Sequence, residues 1–518
     1  MRPSKTRFAI AIFVVALASR WPAAIGSQQP SKGGASPLSA AQAKISRGQL
    51  EEAEKDLWNL LSRDPNQTQA LVLLGVIRGR QKRFAEAEAL FRRTLELDPR
   101  SATAHRNLAT ALVAENKQDQ AIEQYQQLLD IDPQDQEVKI ELAQLYLAQG
   151  EFKHALSTVE RIPPGQLPAP AVPVKAASLL GVGRRSEAAA LIPSVKHSAS
   201  IEAELAEVFL DANAPELAVR AIDEAFSSPE PHPAQLYYLK GRAIQAQGDI
   251  PGALKTLEQG LLRDPKSVEI LLAIASIQAS SNRHREALAL LKRAYTLRPD
   301  APEVLRPSIV EAVRGGEPKT ASRLAHALVE NNPHNLDDLY LASAAMLEGR
   351  DYPSASSILA QYVAGRPADP KGFLGLGIAE LAQQHYPEAK KALERAIELD
   401  PGEADAEYQL GVLADRQGAL LEARQHFERA IQLQPNHAKA LANLGGEYLA
   451  AGELEKACEI LERAVALVPD NAKAQYNLAL TLAKLGRTDE AKRHMELSRT
   501  LETAEELGKS PPPNSKKP

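Results

Sequence analysis

The chain has 518 residues, of which 25% are charged and 4% aromatic, and its formal net charge is −5. A charge this small for the length does not favour a polyanionic partner, so we expect no nucleic-acid binding. The one cysteine, Cys458, excludes a disulfide framework or a thiolate metal cluster within a single chain. We expect no cofactor and no metal.

The N-terminus predicts an export signal. The basic residues of its first segment are Arg2, Lys5 and Arg7. An apolar run follows over residues 8–18, and as a helix it would span only ~16 Å, which is too short for a ~30 Å hydrocarbon core. The pattern is typical of a secretory signal at residues 1–26, so we expect a periplasmic or secreted protein. The alternative is an uncleaved anchor in the inner membrane over residues 8–25.

An alanine recurs about every 34 residues along the rest of the chain, after a polar linker at residues 27–36 that is expected to be disordered. The fourteen alanines are Ala53, Ala87, Ala121, Ala155, Ala188, Ala218, Ala253, Ala287, Ala321, Ala355, Ala389, Ala423, Ala457 and Ala491. A proline follows most of them twelve residues later. A fixed period of this size predicts stacked supersecondary units.

Residues 68–101 form the clearest unit. Apolar residues at intervals of three and four predict two amphipathic helices, with a polar turn at residues 80–83 between them. The eighth position is glycine or alanine in most units, and the twentieth is alanine in all. Small residues at both positions let the two helices approach closely, and glycines such as Gly418 and Gly452 are expected to end the first helix.

This pattern resembles the tetratricopeptide repeat. In residues 68–101 the segments LLGVIRG, AEALFRR and DP carry the small residue, the alanine with its apolar partner and the closing proline of that family. The resemblance extends from residue 37 to about residue 501. It implies an all-α fold, an α-solenoid in the form of a right-handed superhelix of about 14 tetratricopeptide helix-turn-helix repeats.

The repeats divide into regular and irregular stretches. A block of four units is predicted at residues 37–167, and shortened units are predicted at residues 168–233, where prolines cluster and the period contracts. A block of eight units follows at residues 234–507, with an extended last helix as a cap. Residues 508–518 are expected to be disordered. The irregular stretch is open to three interpretations: a hinge, a functional kink or sequence drift.

No catalytic signature accompanies the repeats. The sequence lacks GxxxxGK[ST], HExxH, GxSxG and an EF-hand loop. The histidines are scattered singly, which is more typical of surface residues than of metal ligands. Because repeats fill nearly all of the chain after the signal, we predict that the protein is not an enzyme.

The family resemblance implies a concave groove lined by the first helices. At the sixth position the last three units carry Gln409, Asn443 and Asn477, and the third unit carries Asn107. These carboxamides resemble the asparagine ladder in the repeat region of O-GlcNAc transferase, which implies binding of an extended peptide backbone, since an amide offers both a donor and an acceptor. Neighbouring groove positions hold Tyr408, Tyr476, Lys439 and Lys473. Alternatively, the carboxamides only cap or solvate the groove.

We therefore predict an exported scaffold that binds extended peptide segments or partner proteins in its groove. Two alternatives stay open: a periplasmic accessory subunit of an envelope machine that exports or assembles polysaccharide or protein, and a regulatory subunit of a separate enzyme. No small-molecule substrate is expected, and no membrane span is expected after signal cleavage. Partner identity and oligomeric state do not follow from the sequence.

Overall fold

The computed structural model of the protein is helical wherever it has regular structure. The residues that it describes are 36–195, 198–227 and 231–506. The predicted signal peptide, nearly all of the predicted linker and the predicted tail after residue 507 lie outside the described residues. The chain divides into two compact units, Met1–Ala273 and Ile274–Pro518.

Helical hairpins build the described part of the first unit. Its helices are α1 Pro37–Ser46, α2 Leu50–Leu61, α3 Thr68–Arg80, α4 Phe84–Leu97, α5 Ala102–Ala114, α6 Gln118–Ile131, α7 Gln136–Ala148, α8 Phe152–Val159, α9 Ala171–Gly181, α10 Arg185–Ala189, α11 Ala199–Asp211, α12 Pro215–Phe226, α13 Ala234–Ala246 and α14 Ile250–Arg263. Two short 3-10 helices, Pro164–Gln166 and Ile192–Val195, interrupt the series. Each odd-numbered α-helix and the next even-numbered one form one repeat.

The second unit continues the series without irregular repeats. Its helices, the first of which contains the boundary between the units, are α15 Val268–Ser280, α16 His284–Leu297, α17 Pro302–Arg314, α18 Pro318–Asn331, α19 Leu336–Glu348, α20 Tyr352–Gly365, α21 Pro370–Ala382, α22 Tyr386–Leu399, α23 Ala404–Arg416, α24 Leu420–Leu433, α25 Ala438–Ala450, α26 Leu454–Leu467, α27 Ala472–Lys484 and α28 Thr488–Glu506. The described chain is thus an all-α solenoid of fourteen hairpins, as predicted.

Each hairpin closes on the small residues of the period. All fourteen recurring alanines are buried. A Cβ added at Gly75 would lie 2.5 Å from Cε1 of Phe91, and one added at Gly411 would lie 2.6 Å from the ring of Phe427. The eighth position therefore faces the twenty-fourth across the hairpin, where an added methyl group would force the ring to move. The expected close approach of the two helices is confirmed.

One residue in every described hairpin turn has a left-handed backbone. Eight of these residues are glycines, as expected, with φ between 75° and 89°. The other six, with φ between 54° and 64°, are Lys82, Asn116, Asn213, Asn282, Arg350 and Gln384. A left-handed conformation costs an L-residue roughly 1–2 kcal/mol, with asparagine among the more tolerant residues. The hairpin geometry therefore imposes this conformation even where no glycine is present.

Aspartates close the connections between several repeats. Asp98 precedes Pro99, and its Oδ1 accepts a hydrogen bond from the backbone N of Arg100 at 3.2 Å. Asp132, Asp264 and Asp400 make the same bond to the residue two positions on. The side chain thereby reproduces a backbone turn, and the proline disfavours helical conformation in the residue before it.

The second helices shorten where the prolines cluster. α8 has eight residues and α10 has five, whereas α4 and α6 each have fourteen. Pro163 and Pro164 follow α8, and Pro193 lies in the second 3-10 helix. Proline removes a helical hydrogen bond and its ring collides with the preceding turn. The apolar core nevertheless continues through this stretch, from Ala143 to Ala243.

The last helix is longer than the other second helices. α28 has 19 residues, whereas α24 and α26 have 14. Leu501, at the position where α24 and α26 end, is buried, and Ser498 Oγ donates to the carbonyl of Ala472 at 2.9 Å. α28 therefore packs on α27 as far as Leu501, and residues 502–506 continue the helix beyond the point where the equivalent helices end. That this extension caps the series stays a prediction.

A charge cluster, half-buried except for the exposed Glu137, joins the third and fourth repeats. Arg106 of α5 lies 2.5 Å from Asp135, 2.8 Å from Glu137 and 3.7 Å from Glu141 of the next repeat. Burial raises the pKa of Glu141 to about 7, although the Arg106 charge acts in the opposite direction. Glu141 also lies beside Tyr125, whose own burial raises the pKa of the phenol.

Replacing Gln384 by glycine is expected to stabilise the turn between α21 and α22. Gln384 has φ 64°, and glycine adopts this conformation without the Cβ clash, so we expect a gain of about 1 kcal/mol. Slower amide hydrogen exchange in α21 and α22 is the measurement. The matched control is Gly418→Ala at the equivalent turn (φ 75°), which should speed exchange in α23 and α24. Unchanged exchange in both variants would contradict an imposed left-handed turn.

Replacing Glu141 by glutamine is expected to change how stability depends on pH. The pKa of Glu141 is about 7 in the folded chain, whereas its ordinary value is 4.5. Between these two pH values the folded chain keeps a proton on Glu141 that the unfolded chain has released. Ionisation of Glu141 therefore destabilises the wild type as the pH rises through this window. The free energy of unfolding of the variant minus that of the wild type should increase by on the order of 2–3 kcal/mol. Urea unfolding at about pH 4.5 and about pH 8 measures the difference, and a constant difference would contradict the prediction.

Candidate functional site

Three successive first helices of the second unit carry seven of the eight predicted groove residues. Side chains cap all three helices: Glu403 Oε1 accepts from the backbone N of Asp405 at 3.3 Å, His437 Nδ1 from that of Ala440 at 3.1 Å, and Asn471 Oδ1 from that of Ala474 at 3.0 Å. Such caps determine where a helix begins. The sixth positions consequently recur at equivalent places on α23, α25 and α27, where Gln409, Asn443 and Asn477 are all half-buried.

Asn443 is linked to the preceding repeat through Tyr408. Its Nδ2 donates to the Tyr408 hydroxyl oxygen at 3.4 Å, a distance at the long, weak end of the hydrogen-bond range. Burial raises the pKa of Tyr408, so the phenol keeps its proton at neutral pH. The phenol hydrogen and the Asn443 Oδ1 have no partner among the described residues. A donor and an acceptor therefore lie side by side, which is what a peptide group requires.

The ring of Tyr408 is held by packing from both flanks. Its centroid lies 5.9 Å from that of Phe427 and 5.0 Å from that of His437, in tilted arrangements. His437 Nε2 lies 3.1 Å from Asp405 Oδ1. Because His437 Nδ1 is an acceptor in the helix cap, Nε2 carries the proton that is donated to Asp405. This hydrogen bond lowers the pKa of Asp405, so the carboxylate is ionised and orients the imidazole.

The other two carboxamides differ in their surroundings. A Cβ added at Gly446 would lie 3.1 Å from Asn477 Nδ2. The Asn477 amide therefore lies over this glycine. The glycine therefore leaves room for the Asn477 side chain in the groove. No hydrogen bond to the Gln409 amide occurs among the described residues, so both of its polar atoms can accept a new partner.

Charged and aromatic side chains surround the carboxamides. Lys439 and Lys473 are exposed, and Tyr476 is 42% exposed. Burial raises the pKa of Glu447, and the neighbouring Asp415 carboxylate raises it further, while the Lys473 charge lowers it. The groove face of α23, α25 and α27 thus combines hydrogen-bonding amides with charges of both signs.

Asn107 does not belong with the other predicted residues. It lies on α5 of the first unit and is only 2% exposed. Its Nδ2 donates to the carbonyl of Thr103 at 2.9 Å, and its Oδ1 has no partner among the described residues. The sequence pattern placed it in the same class because its position within the repeat is the same. Asn107 and the three carboxamides of α23, α25 and α27 therefore belong to different units and have different surroundings.

Sequence reasoning missed the groups that orient this groove. The pair His437 and Asp405 joins residues 32 positions apart, and no local motif marks it. A repeat-by-repeat alignment offers one signal, because the fourth and twenty-third positions form polar pairs in three repeats. These pairs are His105 with Gln124, Glu407 with His426 and Gln475 with His494.

Two absences among the described residues bear on the kind of site. No group of three or more histidine, cysteine, aspartate or glutamate side chains there could hold a metal ion. No described helix is long and apolar enough to cross a membrane. Cys458 is buried, and burial raises the pKa of its thiol to about 11, so the thiol is protonated at neutral pH.

Family comparison identifies the repeat along most of the described chain. One tetratricopeptide repeat model matches residues 38–102, 77–136, 238–302 and 374–438. A second model of the same description matches residues 112–172 and 416–465, and a TPR repeat model matches residues 445–486. Together these matches cover more than half of the chain and fall in both units.

One curated relative is similar over part of its length. The cellulose synthase operon protein C of Pseudomonas fluorescens (strain SBW25) is 25% identical over 338 residues, which are 61% of this chain and 26% of the relative. The chain thus spans about a quarter of the length of that relative.

Three solved structures to which the chain is similar have TM-scores below 0.5. The Cut9–Hcn1 hetero-tetramer of APC/C is 15% identical, with 90% of this chain and 93% of that chain covered and a TM-score of 0.41. A tetratricopeptide repeat protein from Parabacteroides merdae ATCC 43184 is 19% identical, with 48% and 98% covered and a TM-score of 0.41. MamA from Desulfovibrio magneticus RS-1 is 23% identical, with 33% and 96% covered and a TM-score of 0.30.

The helical hairpins, the buried alanine period and the family matches agree. Tetratricopeptide repeats are typically non-catalytic scaffolds for protein–protein interaction. The chain belongs to the tetratricopeptide repeat family.

Proposed function

We propose that the protein is an exported scaffold that binds extended peptide segments of partner proteins in the groove of α23, α25 and α27. The observation that carries the proposal is the recurrence of a carboxamide at the sixth position of three consecutive repeats, Gln409, Asn443 and Asn477. Export is proposed from the sequence pattern of residues 1–26. A binding role, with no catalysis, is proposed because the repeats extend over nearly all of the described chain.

The spacing of polar groups supports recognition of a peptide backbone. The Tyr408 hydroxyl and the Asn443 Oδ1 offer a donor and an acceptor, and each free carboxamide offers both. Such contacts do not depend on the side chains of the ligand. The groove would therefore accept many sequences in an extended conformation, as in the asparagine ladder that the family of O-GlcNAc transferase uses.

The carboxamides need help from their neighbours. One net hydrogen bond from each gives roughly 1.5–4.5 kcal/mol in total, which corresponds to millimolar affinity at best. Tyr408 and Tyr476 can add apolar contact area, and the exposed Lys439 and Lys473 can attract acidic ligand residues. We therefore expect a preference for peptides that carry acidic and aromatic or aliphatic residues.

A second candidate function is an accessory subunit of an envelope machine that exports or assembles polysaccharide. The similarity to a cellulose synthase operon protein C favours it. Both candidates bind protein partners in the groove. They differ only in the assembly in which the groove works. Co-purification with membrane complexes would favour the subunit over a self-sufficient scaffold.

The proposed peptide-binding role can be tested with defined ligands. Peptides are selected from a random displayed library on the chain from residue 27 onward, and their affinities are measured for this chain and for the double variant Asn443→Ala with Asn477→Ala. Loss of two net hydrogen bonds, about 1–3 kcal/mol, should weaken binding roughly 5- to 150-fold.

The matched control for this test is Asn436→Ala, which removes an exposed carboxamide before α25. The control should leave peptide affinity unchanged, and circular dichroism should show the same helix content in all three proteins. Equal affinity of the double variant and the wild type would exclude the carboxamides as the peptide-binding groups.

A further inference from the structure

A cavity of about 610 Å³ lies between the second helices of the tenth and eleventh repeats. Residues of α20 and α22 form its walls, and Phe373 and Leu376 of α21, both half-buried, form an apolar floor. These two residues are at the fourth and seventh positions of the repeat, so the cavity is distinct from the line of sixth positions that carries the carboxamides. Its volume is in the range that proteins use to bind a ligand.

Two alanines leave the floor of the cavity uncovered. Ala360 is at the twenty-fifth position of the tenth repeat, where the other regular repeats carry longer side chains such as Lys292 and Glu428. Ala392 is at the twenty-third position of the eleventh repeat, where the three preceding repeats carry leucine or isoleucine. The cavity therefore results from two local departures from the repeat pattern.

The rim of the cavity is charged. Arg395 pairs with Glu398 at 2.8 Å, and Glu380 Oε2 lies 2.7 Å from His385 Nδ1. The exposed charged residues of the rim that make no ion pair within the described chain are Glu388, Lys391 and Glu394. These three leave an excess of one negative charge beside the apolar floor.

Leu262 has the complementary character. It is 82% exposed, more than any other of the exposed large apolar residues in the described chain. It lies near the end of α14, at the twenty-ninth position, and no other repeat carries a leucine there. Arg263 and Lys266 beside it are exposed, and the Asp264 side chain accepts from the backbone N of Lys266 at 3.0 Å. Residues 262–266 thus combine an apolar side chain with a formal net charge of +1.

We propose that the cavity between α20 and α22 binds Leu262 of a second copy of this chain. The floor gives the leucine apolar contacts that water cannot provide. The aliphatic stems of Arg263 and Lys266 can fill more of the volume while their charged ends approach the carboxylates of the rim. Leu262 is exposed in the described chain, so it does not occupy the cavity of its own chain.

The proposed contact joins two different surfaces. Each pair of copies leaves one leucine and one cavity unoccupied, so further copies can add in the same way. Several copies would then present several grooves to one extended ligand, which raises the overall affinity without a new kind of contact. This inference does not rest on the peptide-binding role proposed for α23, α25 and α27, and either can fail alone.

Sedimentation velocity of the complete 518-residue chain at rising concentrations tests the proposal. We expect dimers and larger species of the wild type. Leu262→Glu should raise the dissociation constant roughly 10- to 150-fold, because it removes the apolar contact and adds a carboxylate facing an acidic rim. Ala360→Gln should have an effect of similar size, since it puts into the cavity the longer residue of the third repeat, Gln126. A wild type that stays monomeric would overturn the proposal.

A mixture of the two variants tests whether the leucine and the cavity belong to one contact. Neither variant should associate alone at concentrations where the wild type does. In an equimolar mixture one contact can form, between Leu262 of the Ala360→Gln chain and the cavity of the Leu262→Glu chain. We expect dimers and no larger species. A mixture that stays monomeric, or that forms species as large as those of the wild type, would overturn the proposal.

Two control variants separate this contact from general effects of the substitutions. Leu421→Glu removes another leucine that is 73% exposed, and Ala344→Gln changes an exposed alanine on α19. Both should associate like the wild type, and circular dichroism should show the same helix content in all variants. Association that is lost in both controls, or that persists in both Leu262→Glu and Ala360→Gln, would overturn the proposal.

Discussion

The close approach of the two helices in each hairpin is the constraint on which the rest of the structure depends. In most repeats a methyl group or a hydrogen at the eighth and twentieth positions brings the first helix against the second, and the side chain at the twenty-fourth position fills the remaining space. Gly411 and Phe427 show how little room is left, because an added Cβ would lie 2.6 Å from the ring. Since most hairpins are closed in this way, successive first helices of these repeats stack at a constant interval. Equivalent positions then become neighbours in space.

That regularity turns one position of the repeat into a line of side chains. Gln409, Asn443 and Asn477 are 34 residues apart in sequence, yet α23, α25 and α27 present them as a series. The packing of Tyr408 against His437 and Phe427 adds a rigid donor beside the series. In the first unit the sixth position varies, with Leu73, Asn107 and Glu141 in three successive repeats.

Much of the fold was predictable because the repeat encodes it locally. The alanine period, the small eighth position and the closing Asp-Pro pairs specify hairpins and their connections without reference to distant residues. The turn at Gln384 was less predictable, since the hairpin imposes φ 64° on a residue that does not prefer it. The shortening of α10 to five residues was expected only as a contraction of the period.

The site was harder to predict than the fold because it depends on contacts between repeats. The sequence pattern identified the carboxamides, but it grouped Asn107 with them although that side chain is buried in a different unit. It did not indicate the hydrogen bond from His437 to Asp405, which joins two repeats and orients Tyr408. The raised pKa of Glu447 likewise comes from burial and from Asp415 of the preceding repeat. Such relations emerge only once the helices are stacked.

The central claim is that the carboxamides of the second unit contact a bound peptide directly. The most direct measurement is nuclear magnetic resonance of the chain labelled with nitrogen-15 at asparagine, recorded while a selected peptide is added. We expect the side-chain amide signals of Asn443 and Asn477 to shift with the same saturation curve and those of Asn107 and Asn436 to stay in place. Binding that leaves the Asn443 and Asn477 side-chain signals unmoved would contradict it.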